Sequence, residues 1–182
     1  MHVLAIPGSL RTASINAAFC RAAARLAPAD LPMSIYAGLG DLPLFNADRE
    51  TELPEPVRQL RQLVRRADAL LLASPEYAHG VSGVMKNALD WLVGDEEFIG
   101  KPVALVNTSP RAHHAYEALR ETLQTMSATI VERASLTIPL LGACVTESAM
   151  LASADVSLQI RRVGDALRAR LLDRLMPGPG IS

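Results

Sequence analysis

Apolar residues along the chain fall into two patterns, short unbroken runs and stripes that recur every three to four positions. The runs at 2–6, 68–74 and 101–107 contain Val3-Leu4-Ala5-Ile6, Ala69-Leu70-Leu71-Leu72-Ala73 and Val103-Ala104-Leu105-Val106. They predict strands covered on both faces, since a strand with one wet face would alternate apolar and polar residues. A weaker run at 31–36, entered through Pro28 and Pro32, predicts a further strand; 129–131 and 135–140 predict a broken last one. Helices are predicted between them. After 17–26, the stretch 55–66 sets Val57, Leu60, Leu63, Val64 and the following Ala67 on one face, with arginines opposite. In 83–93, Val84, Ala88 and Leu92 form a row beside Met85 and Leu89, and Gly94 is placed to end the helix. A fourth helix turns Ala115, Leu119, Leu123 and Met126 inward, and the last, 154–175, repeats Val156, Ile160, Val163, Leu167 and Leu171. Residues 38–54, with Gly38, Gly40, Pro43 and Pro54, read as a long loop.

Strands alternating with helices imply an α/β fold, a parallel sheet with helices on both faces joined by right-handed crossovers. Five strands suit the order 2-1-3-4-5, a flavodoxin-like three-layer sandwich. In such sheets ligands sit beyond the carboxyl ends of the strands, where the strand order reverses. The loops leaving strands 1, 3 and 4 are 7–16, 75–82 and 108–114, so three compositionally odd stretches are expected at one edge. One domain is expected over 1–175, with 176–182, which begins Met176-Pro177-Gly178-Pro179-Gly180, as a flexible tail.

Composition narrows the function. A chain of 182 residues with 49% hydrophobic and 20% charged residues fits a soluble globular protein. A chain of this size buries roughly 70% of its unfolded surface and needs no staple. The formal charge is 18 − 19 = −1, so no global field recruits nucleic acid or an anionic membrane. The arginines of the last helix, interspersed with Asp165 and Asp173, read as a solvated face. Cys20 and Cys144 lack ligand spacing and read as reduced core thiols of a cytoplasmic protein. His113 and His114 are adjacent at a helix start and diverge, so no metal site is expected. The chain has no apolar stretch that predicts a membrane span or secretion signal.

The first loop reads Pro7-Gly8-Ser9-Leu10-Arg11-Thr12-Ala13-Ser14-Ile15-Asn16 between a strand and a helix. The first N–H groups of a helix lack intrahelical partners and carry partial positive charge, which suits an anion. Ser9, Ser14 and Asn16 add side-chain donors, and Arg11 adds a planar fork matched to phosphate oxygens. The same residues also fit an ordinary helix start, with Ser14 as N-cap and Arg11 in solvent. The spacing alone leaves both readings open.

Gly8-Ser9-Leu10-Arg11 with Ser14 and Asn16 resembles the phosphate loop of the NADPH-dependent FMN reductase family. Ser74-Pro75-Glu76-Tyr77-Ala78-His79-Gly80 followed by Lys86-Asn87-Ala88-Leu89-Asp90-Trp91 resembles that family's second signature. The resemblance is strong from the first strand to Trp91 and weaker beyond. It implies a flavodoxin-like enzyme that binds FMN, with NADPH or NADH as co-substrate. Electrons would pass to a small-molecule acceptor: a quinone, free flavin, an azo compound or an oxidised metal ion. Ser9, Arg11, Ser14 and Asn16 would hold the FMN phosphate. Pro75, Glu76, Tyr77, Ala78, His79 and Gly80 would line the ring, largely through backbone groups, and Ser109 would contribute from the third loop. A homodimer or homotetramer is implied. Hydride transfer through a flavin needs no protein acid, so no catalytic residue is assigned, and ring-side packing is preferred over general acid chemistry for His79.

Two departures stand out. Many members have asparagine at the position of Ala78. The third loop usually carries glycines after its serine, whereas here it reads Ser109-Pro110-Arg111-Ala112-His113-His114. That basic lip would either contact the nicotinamide nucleotide's phosphates or obstruct it. Trp91 fits both core packing and a subunit interface. The alternatives are a flavodoxin-type electron carrier, against which Arg11 and the near-neutral charge speak, and a regulatory domain that has lost its cofactor.

Overall fold

The computed structural model describes residues 1–142 and 144–175; the tail expected at 176–182 lies outside them. In chain order the elements are β1 (Val3–Pro7), α1 (Ile15–Leu26), β2 (Met33–Ile35), α2 (Glu55–Arg66), β3 (Ala69–Ala73), β4 (Glu76–Tyr77) and β5 (Gly80–Val81). They continue with α3 (Gly83–Asp90), β6 (Pro102–Val106), α4 (His113–Thr125), β7 (Thr129–Ile130), α5 (Glu147–Ala152) and α6 (Ala154–Leu175). The main sheet is parallel throughout, in the order β2-β1-β3-β6-β7. With the small β4–β5 hairpin set aside, this is the expected 2-1-3-4-5 arrangement.

The unbroken apolar runs are the reason for that order. Every residue of β1, β3 and β6 is buried, as central strands covered on both faces must be. Successive side chains of a strand point to opposite faces. Val3, Ala5 and Leu71 accordingly join Phe19, Ile160 and Val163 in the layer of α1, α5 and α6. Leu4, Ile6, Leu70 and Leu72 join Leu60, Leu89 and Leu119 in the layer of α2, α3 and α4.

Several local expectations are corrected. α3 stops at Asp90, well before Gly94. Its end is held by Arg61, whose Nε and Nη2 donate to the Trp91 carbonyl at 3.0 and 2.8 Å. The stretch 38–54 is the long loop expected, with two 3₁₀ turns inside it, Gly38–Asp41 and Ala47–Arg49. It is clamped by the second signature: the Pro43 carbonyl accepts from Asn87 Nδ2 at 3.0 Å and from Trp91 Nε1 at 2.8 Å, while Asn87 Oδ1 accepts from Phe45 N at 2.8 Å. Trp91 is fully buried within its own chain, which settles its role as core. Lys86 pairs with Asp90 one turn along α3, so the Lys86–Trp91 signature is scaffolding. The last strand is broken as expected, with two residues in β7 and an isolated parallel bridge from Asn107 to Thr137. The short helix α5 had no clear periodic signal. Cys20 is buried in the core, whereas Cys144 is only half-buried and packs against the core's edge.

Candidate functional site

The loops leaving β1, β3 and β6 meet around a cleft of about 380 Å³. The first wall is the turn into α1. Gly8 N continues the ladder to the Ala73 carbonyl at 2.8 Å, and a Cβ on Gly8 would stand 2.7 Å from Ser74 Oγ, so only glycine lets this loop lie so close to β3. Ser82, buried in its own right, fixes the loop from the other side. Its Oγ donates to the Gly8 carbonyl at 2.7 Å and accepts from Met85 N at 3.4 Å, capping α3.

Ser14 is the N-cap of α1, its Oγ accepting from Ala17 N at 3.2 Å. Ile15 and Asn16 open the helix and line the cleft, and among the described residues their backbone N–H groups find no acceptor. No acidic residue stands in the first turn to neutralise this positive end. Ser9 and Arg11 line the same cleft, Ser9 Oγ accepting from Arg11 N at 3.4 Å. The capping reading and the anion reading are therefore compatible: Ser14 satisfies one helical N–H and leaves two others facing the cleft.

The second wall is the β4–β5 hairpin, which replaces the loop expected at 75–82. Its two-residue turn puts Ala78 at φ 49° and His79 at φ 60°. Tight hairpins take left-handed turns because these match the strand twist, and glycine or asparagine usually fills them. The His79 ring stacks on that of His114, with centroids 4.3 Å apart and 26° between planes. Glu76 Oε2 accepts from Ala115 N at 2.9 Å. Pro75, Glu76 and Tyr77 line the cleft; Ala78, His79 and Gly80 form the turn and return strand and do not.

The third wall follows β6. Buried Asn107 holds the turn at both ends, Oδ1 accepting from Ser109 N at 3.0 Å and Nδ2 donating to the Ala112 carbonyl at 3.2 Å. Thr108 Oγ1 donates to Asn16 Oδ1 at 2.8 Å, bolting the third wall to the first. The Thr108 carbonyl accepts from Leu140 N at 3.1 Å, which brings Leu140 and Leu141 to the rim. Ser109 lines the cleft, as does Arg111. Sequence reasoning missed Thr108, Leu140 and Leu141 as cleft residues. Thr108 had a usable signal, a hydroxyl at the carboxyl end of a central strand; the leucines had none.

Residues 1–140 match the family model of NADPH-dependent FMN reductases. The chain belongs to this family. An NADPH-dependent FMN reductase is an oxidoreductase with FMN as cofactor and a reduced nicotinamide as co-substrate. A quinone reductase of Pseudomonas putida is 40% identical over 128 residues, 68% of this chain and 68% of that protein. A 2-hydroxy-1,4-benzoquinone reductase of a Burkholderia species is 38% identical over 112 residues, 60% of this chain and 61% of its own length. Among solved structures, the flavoenzyme NAD(P)H:acceptor oxidoreductase FerB of Paracoccus denitrificans superposes with a TM-score of 0.73 at 26% identity, covering 92% of this chain and 97% of that one. A Bacillus cereus flavodoxin superposes at 0.63 with 13% identity over 93% of this chain and 98% of its own, a likeness of fold alone.

Proposed function

We propose that the chain, folded as one domain over 1–175, holds FMN in this cleft and passes hydride equivalents from NADPH or NADH to a small quinone-type acceptor. The observation that carries the reading is the pair of unpartnered N–H groups opening α1, in a cleft shared with Arg11 and free of acid in the helix's first turn. That donor set fits a phosphate dianion. Bound FMN supplies a ring that accepts a hydride and hands the electrons on. The protein supplies position and electrostatics.

Each residue then has a stated task. Arg11 offers the charged fork, and Ser9 a hydroxyl. Ser14 Oγ accepts from the helix, so its own hydroxyl hydrogen is available to the phosphate. Asn16 Oδ1 is held by Thr108, which turns its Nδ2 into the donor that serves the ligand. Pro75, Glu76 and Tyr77 supply the ring side of the cleft, and Ser109 supports it from the third loop. Ala78, His79 and Gly80 act through the hairpin's shape and backbone groups. No side chain need move a proton to the reacting atoms. Co-substrate and acceptor use one cleft in turn, which gives ping-pong kinetics. The resemblance further implies a cytoplasmic homodimer or homotetramer, measurable by light scattering.

The test is the absorption spectrum of the purified protein, followed by anaerobic addition of NADPH and then of a benzoquinone. The reading expects flavin bands that bleach with NADPH and return with the quinone. Flavin bands that NADPH leaves untouched would favour an electron carrier, and protein that takes up no added FMN would defeat the reading.

A further inference from the structure

Two guanidinium groups line the cleft, from two different loops. Arg11 reaches it from the α1 loop, and Arg111 from the β6–α4 turn. Among the described residues neither Arg11 nor Arg111 forms an ion pair, which leaves both charges open to a ligand. The one carboxylate lining the cleft, Glu76, is engaged by Ala115 N. The Arg111 backbone is also fixed: Ser109 Oγ accepts from Arg111 N at 3.3 Å, inside the turn that Asn107 clamps at Ser109 and Ala112. The clamped turn fixes where the Arg111 side chain leaves the backbone at the cleft, and a guanidinium's donor fork matches phosphate oxygens. FMN brings one phosphate. A reduced nicotinamide dinucleotide brings a pyrophosphate and, as NADPH, a 2′-phosphate as well.

We propose that Arg111 reads a phosphate of the nicotinamide dinucleotide, so that the two arginines divide the cleft's anions between cofactor and co-substrate. The proposal rests on the oxidoreductase reading above. It decides between the two outcomes that the sequence left open for the basic lip: the lip recruits the nucleotide rather than obstructing it. It also makes the lip a determinant of co-substrate choice.

The test uses the full chain loaded with FMN, and the variants Arg111→Gln and Arg111→Lys. Titration calorimetry with 2′,5′-ADP and with 5′-ADP reads binding without turnover; steady-state assays with NADPH, NADH and a benzoquinone separate the Michaelis constants. In Arg111→Gln, the Kd of 2′,5′-ADP and the KM of NADPH should rise about tenfold, the scale of one charge-assisted contact, while FMN affinity and the KM of the quinone stay within about twofold. Arg111→Lys should recover part of the loss. A loss confined to the 2′-phosphate compounds assigns that phosphate, and an equal loss for 5′-ADP and NADH assigns the pyrophosphate; both support the proposal. Unchanged nucleotide binding, or a loss confined to FMN or to the quinone, overturns it. Absence of turnover in the unsubstituted holoprotein would instead defeat the oxidoreductase reading, and the calorimetry would still judge Arg111.

Discussion

Glu76 Oε2 accepts a hydrogen bond from Ala115 N at 2.9 Å, tying the hairpin after β3 to the first turn of a helix that starts more than thirty residues later. Ala112, at the N-cap of that helix, has no side chain able to do this. A carboxylate there also lies at the positive end of the α4 dipole. Glu76→Ala should lower stability by about 1–2 kcal/mol, and Glu76→Gln, which keeps an acceptor, should recover more than half. Thermal melts followed by circular dichroism measure both. Equal melting of Glu76→Ala and the parent would show that the contact holds nothing together.

Arg11 is half of the phosphate argument and is exposed, so its removal should leave the fold intact. Loss of a charge-assisted bond is worth about 1.5–3 kcal/mol, so Arg11→Ala should weaken FMN binding about 10- to 100-fold. Quenching of flavin fluorescence on binding reads the Kd. An unaltered Kd would remove Arg11 from the phosphate site.

Ala78 stands at φ 49°. An L-residue with a Cβ pays about 1 kcal/mol for the left-handed region, and asparagine bears it more easily. Ala78→Asn should therefore stabilise the protein by about 0.5–1 kcal/mol, a rise in Tm of about 1–4 °C for a chain of this size. A fall in Tm would mean that the hairpin does not hold this turn in solution.

Burial pushes the Cys20 thiol from its ordinary 9.0 up to about 12. Native protein should therefore show one thiol reactive towards a disulfide reagent at mild alkaline pH, half-buried Cys144, and two in denaturant. The sign of the pH effect follows. Above pH 9.0 the unfolded chain gives up the Cys20 proton while the folded one keeps it, so this group's effect is to lower stability as pH climbs towards 12. Reactivity at both positions in native protein would contradict the packing around α1.

The sheet was readable because Val3-Leu4-Ala5-Ile6 and its two counterparts have no polar break, and only central parallel strands tolerate that. Helices α2 and α6 were readable to the residue because their stripes are long and regular. The hairpin was not, since its strands are two residues each and Ala78-His79 is not a sequence that advertises a left-handed turn. For the site, the strand-end rule indicated which loops converge, and Ser9, Arg11, Ser14, Asn16, Pro75, Glu76, Tyr77 and Ser109 all line one cleft. What joins those loops could not be read. Glu76 with Ala115, Asn16 with Thr108 and Ser82 with Gly8 are pairings between distant segments, and nothing local distinguishes a serine that staples two loops from one that faces water.

Trp91 is the chain's single tryptophan, and its indole is sealed between the Pro43 carbonyl and the edge of Phe45, the rings meeting at 76° with centroids 5.0 Å apart. All indole emission from this protein therefore originates at one solvent-inaccessible point, where the β2–α2 crossover is latched onto α3. Its wavelength works as a built-in optical gauge of that latch: blue while the crossover is seated, red once water enters. Acrylamide should barely quench it in the native state, so a spectrometer can follow the opening of this single seam with no label attached.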